Sequence, residues 1–364
     1  MNELELAREE INKIDAEMAE LFVRRMKCCE NVAAYKKEHG LSIRDFAREA
    51  ALIERCRQGI GDEVLESYYV SFLKNMIDVS CRYQSRLNSG MKVAYSGVEG
   101  AYAHIAAMKM FPESQTQNYS DFSDAYSSVV KGEADCAVLP LENSYEGEVG
   151  AVMDLLFSGD LYVNKVIDLP ISHSIMSVSG SSLSKVKKVI SHPQALRQCA
   201  KYIHEQGYET EEYSNTAAAA KYVKECANPE LAAIASEETA EIFGLQILKN
   251  SINDAGNNTT RFASLSRVPY RANKNCDDEN FILVFTVQNR AGSLAQTLNI
   301  IGSHGFNMRS LRSRPMKDLQ WNYFFYIEAE GNIHNENGQN MLRELSAVCA
   351  RLKLVGTFCA DNQN

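Results

Sequence analysis

Apolar positions in the first 88 residues recur at steps of three and four, with no proline between them. This spacing predicts amphipathic helices, broken at one His-Gly and one Gly-Asp step. A seven-residue count through the first helix reads Leu4, Ala7, Ile11, Ile14, Met18, Leu21, Arg25, Cys28, Val32, Tyr35. Such a seam buries itself against partner helices. Asn88-Ser89-Gly90 reads as a linker. From Lys92 the period changes: Val93-Ala94-Tyr95, Ala137-Val138-Leu139 and Val189-Ile190 are short strand-like runs separated by helical ones. That alternation predicts an α/β unit with a parallel sheet. Residues 271–280, RANKNCDDEN, read as a second linker. Beyond it the order is strand (Phe281 to Gln288), helix (from Gly292), strand (Phe306 to Arg314), strand (Trp321 to Ala329), helix (Gln339 to Leu352) and strand, a βαββαβ order.

Three domains therefore divide the 364 residues: 1–88, all-helical; 91–270, α/β; and 280–360, α+β. A net charge of -9 disfavours a dedicated nucleic-acid binder, which presents a basic face. No apolar run reaches the roughly 18 residues of a membrane span. The first residues lack a basic-then-apolar leader layout, so a cytoplasmic protein is expected. Ten scattered cysteines without a C-x-x-C pair read as buried thiols. Histidine spacing offers no metal site, and no G-x-G-x-x-G marks a dinucleotide fold. Neither metal nor cofactor is expected.

The helical block carries polar intrusions on apolar faces. Arg25 is the one charge on the first seam, and a desolvated guanidinium costs several kcal/mol unless an anion meets it. Lys36 returns to nearly the same face 11 residues later. Ser80 and Gln84 interrupt the stripe Leu73, Ile77, Leu87. Asp45, Arg48 and Glu49 share a face at the start of the second helix. Together they describe a polar, cationic pocket suited to a small dianion.

This pattern (Arg8, Arg25, Lys36, the R-D-x-x-R-E run Arg44 to Glu49, Ser80 and Gln84) resembles the all-helical chorismate mutase family over residues 4–88. The resemblance implies two interlocked chains and a pericyclic rearrangement of chorismate to prephenate. Arg25, and Arg8 of the other chain, would hold the two carboxylates. Arg48 would support the substrate, Lys36 and Gln84 would face the ether oxygen, and Glu49 would receive the ring hydroxyl. Asp45 and Ser80 would complete the wall.

The α/β block carries polar strings at strand ends: Ser96 to Tyr102, Pro140-Leu141-Glu142-Asn143-Ser144, Ser191-His192-Pro193-Gln194 with Gln198, Ser214-Asn215-Thr216, and Asn257 to Phe262. A glycine pair in the first lets backbone N–H groups approach an anion at a helix start. Thr260-Arg261-Phe262, P-x-E-N-S and S-H-P-Q make residues 92–268 resemble prephenate dehydratase. That implies two lobes around a cleft, like type 2 periplasmic binding proteins, with crossings near Pro170 and Leu248. By this resemblance Thr260 protonates or orients the departing hydroxyl, and Arg261 offers a carboxylate fork. Glu142, Asn143, Ser191, Gln198 and Thr216 line the cleft. Val98, Ala101 and Ala103 depart from the family's first loop, G-P-x-G-T-[FY]-S, and remove side-chain hydroxyls there.

The C-terminal block resembles an ACT domain, through Asn289 to Ala295 and Asn307 to Pro315. That implies L-phenylalanine as effector, at Gly292, Ser293, Leu294, Asn307, Ser313 and Arg314. Arg312 stands where the family's E-S-R-P has its acid. The whole reading is a bifunctional enzyme of phenylalanine biosynthesis, a homodimer or tetramer, taking chorismate and prephenate. The rivals are a two-lobed small-molecule binding or sensor protein with a helical dimerisation arm, and a DNA-binding regulator. Against the latter, residues 1–90 hold 14 Lys/Arg and 16 Asp/Glu.

Overall fold

The computed structural model describes residues 2–254, 256–269, 279–316 and 322–359. Contacts divide the chain into two compact units, one ending at Met91 and the other starting at Lys92.

The first unit is three helices: α1 (Glu3–Glu38), α2 (Phe46–Arg57) and α3 (Glu63–Ser89). Each starts at a side-chain cap, which satisfies backbone N–H groups the first turn leaves open. Asn2 caps α1 in a capping box with Glu5; Asp45 and Asp62 cap α2 and α3. The expected linker at Asn88-Ser89 is helical, and α3 stops only at Gly90. The core is confined to the C-terminal half of α1 and the middle of α3: Met26, Cys29 and Ala33 meet Leu73 and Ile77. The N-terminal half of the α1 seam is uncovered, with Leu4 at 56% and Leu21 at 58% exposure.

The second unit begins with a lobe built from β1 (Lys92–Ser96), α4 (Tyr102–Met110), β2 (Gln115–Tyr119), α5 (Phe122–Lys131), β3 (Cys136–Asn143), β4 (Gly147–Glu148), α6 (Gly150–Ser158) and β5 (Tyr162–Pro170). The chain then crosses to a second lobe: β6 (Ser174–Ser177), β7 (Lys188–Ser191), α7 (Pro193–Gln198), α8 (Ala200–Gln206), β8 (Glu209–Glu212), α9 (Thr216–Cys226), β9 (Leu231–Ala235), α10 (Glu237–Phe243) and β10 (Gln246–Lys249). It returns as β11 (Thr259–Ser266). The two crossings make a two-lobed fold of the periplasmic-binding-protein kind. The sheets are mixed rather than parallel. β1 runs parallel to β2 and β3, while β11 is antiparallel to both β3 and β5. The second sheet, in the order β10-β6-β9-β7-β8, is likewise antiparallel at β6. The strands that leave and re-enter the first lobe run opposite ways, and this breaks the parallel pattern.

The last segment is β12 (Glu279–Thr286), α11 (Ser293–Ser303), β13 (Asn307–Pro315), β14 (Tyr323–Glu330), α12 (Glu336–Val348) and β15 (Arg351–Cys359), the βαββαβ order. Most of the expected second linker, and Trp321, lie outside the described residues. The segment's sheet continues into the first lobe through a single parallel pair, Gly356 with Val163. A methyl group at Gly356 would run into the Val163 backbone, so the join needs glycine. One core serves both sides: Leu139, Val152, Leu156 and Leu265 pack with Val284, Phe324, Tyr326 and Phe358. Phe157 stacks on Phe324 at 4.3 Å. Cys28, Cys29, Cys56, Cys81, Cys199, Cys226 and Cys349 are free thiols. Cys359 is disulfide-bonded, contrary to the expectation of thiols throughout.

Candidate active sites

The intruding polar residues of the helical unit meet in one small cavity of about 130 Å³. Arg25 and Lys36 reach it from α1, Asp45, Arg48 and Glu49 from α2, and Ser80 and Gln84 from α3; Cys29, Val32, Leu52 and Ile77 supply its apolar wall. Arg25 donates to Ser80 Oγ, which itself donates to the Met76 carbonyl at 2.7 Å. Lys36 donates to the Ile43 carbonyl. Both cations are therefore held by neutral acceptors, and neither is in an ion pair among the described residues. Gln84 is only 7% exposed, and its Oε1 has no hydrogen-bond partner among the described residues. Buried polar groups are nearly always satisfied, so such an amide is set out for a guest.

Two acids are partly committed. Asp45 Oδ1 accepts the Arg48 N–H at 3.0 Å as the α2 cap. Glu49 lies 3.3 Å from Arg44, which also pairs with Asp78. The hydrogen bond to Asp78 comes first among the causes that raise the Arg44 pKa. Burial raises that of Cys81, beside Glu49. Arg8 is exposed and does not line the cavity. Seventeen residues separate it from Arg25, roughly 26 Å along the axis.

In the second unit a cleft of about 480 Å³ opens between the lobes. Of the residues expected there, Asn143, Gln198, Thr216 and Thr260 line it. Asn143 Nδ2 donates to Thr260 Oγ1 and to Asn258 Oδ1, both at 2.8 Å. Asn143 Oδ1 accepts the N–H groups of Tyr145 and Glu146. This clamp leaves the Thr260 O–H free to point at a ligand.

Glu142, Ser191 and Arg261 are not in the cleft. Side chains alternate along a strand, so neighbours of Thr260 and Asn143 face the other way. Arg261 forks onto Asp168 (2.8 and 3.2 Å) and onto Glu328 of β14 (2.8 and 3.0 Å). Burial works against its charge, but the hydrogen bonds to Asp168 and the charge of Glu328 hold its pKa above the usual value. Glu142 pairs with Arg312 of β13. Ser191 is fully buried and donates to the Ile234 carbonyl at 2.6 Å. In the first loop, the Gly100 N–H is already taken by His104 Nδ1 at 3.1 Å, so it does not await an anion.

The cleft also holds Tyr102, Glu146, His173, His192, Gln194 and Asn258, none of which the sequence reading singled out as a site residue. His192 caps α7 ahead of Pro193, which is a readable cap signal. His173 sits in the run I-S-H-S-I-M, which carries no signal at all. Burial raises the Tyr102 pKa and lowers that of His173.

In the C-terminal segment, Gly292 caps α11 with φ +85° and Ser293 and Leu294 open that helix. The register Thr286–Phe324–Arg314 puts Ser313 and Arg314 at the same end of the sheet as this turn. Asn307, aligned with Glu330 and Asn280, is at the opposite end, roughly 23 Å from Arg314. One chain does not bring all six residues together. Arg314 is engaged by Glu148 (3.0 Å) and Asp154 (3.0 and 3.2 Å).

Three family models match in order: chorismate mutase type II over residues 7–85, prephenate dehydratase over 93–269 and the ACT domain over 281–347. A bifunctional chorismate mutase/prephenate dehydratase of Enterobacter agglomerans is 30% identical, covering 99% of this chain and 97% of that protein. The solved prephenate dehydratase of Arthrobacter aurescens, in complex with L-Phe, is 26% identical with TM-score 0.68, covering 75% of this chain and 91% of that one. A structure titled as a novel type of quorum quenching acylase is 30% identical with TM-score 0.69, covering 74% and 98%. No helix among the described residues is long and apolar enough to cross a membrane. The chain belongs to the bifunctional chorismate mutase/prephenate dehydratase family, enzymes that rearrange chorismate to prephenate and convert prephenate to phenylpyruvate.

Proposed function

We propose that the helical cavity is the mutase site and the two-lobed cleft the dehydratase site, within domains 1–88, 91–270 and 280–360. The observation that carries the first assignment is the shared cavity: Arg25 and Lys36, held by neutral acceptors, line it with Gln84, a buried amide whose oxygen has no partner among the described residues. The rearrangement needs no nucleophile. It needs a folded conformer and donors where the breaking C–O bond gains negative charge. Arg25 binds a carboxylate, and Lys36 and Gln84 meet the ether oxygen. Arg48, Asp45, Glu49 and Ser80 hold the rest of the guest.

The resemblance gives the second carboxylate to Arg8, which is too far along its own helix to reach this cavity. We assign that role to Arg8 of the partner subunit in a homodimer. The uncovered α1 seam supports this: burying a Leu or Ile side chain gives about 1.5–3 kcal/mol. An apolar hollow of about 860 Å³ beside Met18, Leu21, Phe22 and Phe72 is also left for a partner to fill.

In the cleft, prephenate loses CO2 and its ring hydroxyl departs as water, with aromatisation as the driving force. Thr260, oriented by Asn143, relays a proton from solvent to the departing oxygen while the electron pair released with CO2 enters the ring. Gln198 and Thr216 bind the substrate. The C-terminal domain takes L-phenylalanine at the Gly292 turn, through Ser293 and Leu294. The free thiols support a cytoplasmic location, and the disulfide at Cys359 weighs against it.

A paired assay tests the reading. Chorismate consumption and phenylpyruvate formation are followed with and without L-phenylalanine, in the native chain and in Arg25→Ala. The expected result is loss of the first step alone in the variant and inhibition of the second by the amino acid. Undiminished mutase turnover in Arg25→Ala overturns the cavity assignment. Absence of both binding heat and inhibition at millimolar L-phenylalanine overturns the effector. A monomer in sedimentation that retains full mutase activity overturns the shared site.

A further inference from the structure

His173 lies on the first crossing between the lobes, just after β5, and is 3% exposed. Its ring is engaged at both nitrogens. Nε2 is 2.9 Å from Gln198 Oε1, and Nδ1 is 3.3 Å from the Tyr102 hydroxyl oxygen, which also lies 2.7 Å from the Ser172 carbonyl. The main chain is pinned as well. The His173 N–H donates to Asn253 Oδ1 at 2.6 Å, and its carbonyl accepts the Ile252 N–H at 2.8 Å. With Gln198 Oε1, which can only accept, turned to the ring, His173 Nε2 carries the proton and Nδ1 is bare, and the one Tyr102 proton is shared between Nδ1 and the Ser172 carbonyl. Burial lowers the ring's pKa and so favours the neutral over the charged ring.

The consequence falls on Gln198. With its oxygen held by the ring, its NH2 group must point elsewhere. That group has no hydrogen-bond partner among the described residues, and Gln198 lines the cleft with Tyr102, Asn143 and Thr260. Turned over, the same side chain would offer an oxygen to an anionic guest and repel it.

We infer that His173 is a positioning residue of the dehydratase: by donating Nε2–H to Gln198 Oε1 it fixes that amide with its NH2 facing the cleft, as a donor to a substrate carboxylate. Tyr102 comes from the first lobe and Gln198 from the second, so the ring aligns the donor with both halves of the site. The inference rests on the reading of the cleft as the prephenate site.

Variants of the full chain test it by steady-state kinetics with prephenate. A hydrogen bond to a charged group is worth about 10–100-fold. His173→Leu should therefore raise KM at least about tenfold while kcat moves less. His173→Gln, whose Nε2 can reach the same oxygen, should return KM most of the way. Gln198→Leu should raise KM like His173→Leu, and the double variant should be no worse than either single one. An unchanged KM in His173→Leu, no rescue by His173→Gln, or losses that multiply in the double variant overturns the inference. Should His173→Leu not fold, nitrogen NMR of the native protein decides. The neutral Nε2–H tautomer is expected near neutral pH, and an Nδ1–H tautomer overturns the inference. Failure of the site reading itself would look different: Thr260→Ala would leave prephenate turnover intact whatever the His173 variants do.

Discussion

The guanidinium of Arg312 pairs with the carboxylate of Glu142, joining the edge strand of the C-terminal sheet to the strand that carries Asn143. Both side chains are mostly buried, at 21% and 33% exposure. Arg312→Glu would set two carboxylates against each other. We expect it to lower the unfolding free energy of the second unit by about 1–2 kcal/mol, between the exposed and buried limits for ion pairs. Dehydratase KM or kcat should worsen while mutase activity holds. Restoration by the charge-swapped double variant Arg312→Glu/Glu142→Arg, measured by denaturant titration, checks that the pair is responsible.

Gln84 is a neutral donor, so mutase activity should show no titration from this position. Gln84→Glu would change that. A glutamate there titrates, and only its protonated form can donate to the ether oxygen. Mutase activity of the variant should survive at acid pH and fall as pH rises through the pKa of the new carboxyl, whereas the native profile stays flat there. Matching pH–rate profiles for the two proteins would contradict the assignment of Gln84.

Thr260→Ala should lower dehydratase kcat at least about 100-fold, the usual worth of a placed proton donor. Asn143→Ala removes the bond that orients the hydroxyl and should lower kcat by a smaller factor. Mutase turnover, measured in the same preparations, should be unaffected by either.

Acid should weaken the second unit. Burial lowers the pKa values of His104 and His173 below the ordinary histidine value. The unfolded chain therefore binds protons that the folded one resists. The stability these rings contribute is present above the ordinary histidine pKa and is lost as pH falls below it toward the depressed values. The melting temperature of the second unit should drop between pH 7.5 and pH 5. His104→Asn, which can still accept from the Gly100 N–H, should flatten that drop.

Much of this was legible in the sequence because chemistry and periodicity coincide. A charge on a seam, as at Arg25, or an amide in an apolar stripe, as at Gln84, is visible on a helical wheel, and all the helical intrusions except Arg8 meet in one cavity. Motif reading did less well on strands. T-R-F and P-x-E-N-S mark the right strands, but a two-residue period sends Thr260 and Asn143 to one side and Arg261 and Glu142 to the other. Applying that period to the motifs would have removed both charges from the cleft. Ser191 looked like a site hydroxyl, yet it satisfies a backbone carbonyl. Nothing in the sequence marked His173, because its role comes from a crossing that brings residues 102, 173 and 198 together.

The pairing of Gly356 with Val163 limits how the Gly292 end of the C-terminal sheet can move relative to the first lobe. With a common interior and a strand-to-strand weld, the C-terminal sheet has no freedom to swing as a separate body on a flexible tether. Any displacement there must shear β5, whose far end leads directly into Ile171, Ser172 and His173. A bulkier residue at position 356 would run into the Val163 backbone and part the two strands at the one place where the C-terminal sheet joins the first lobe.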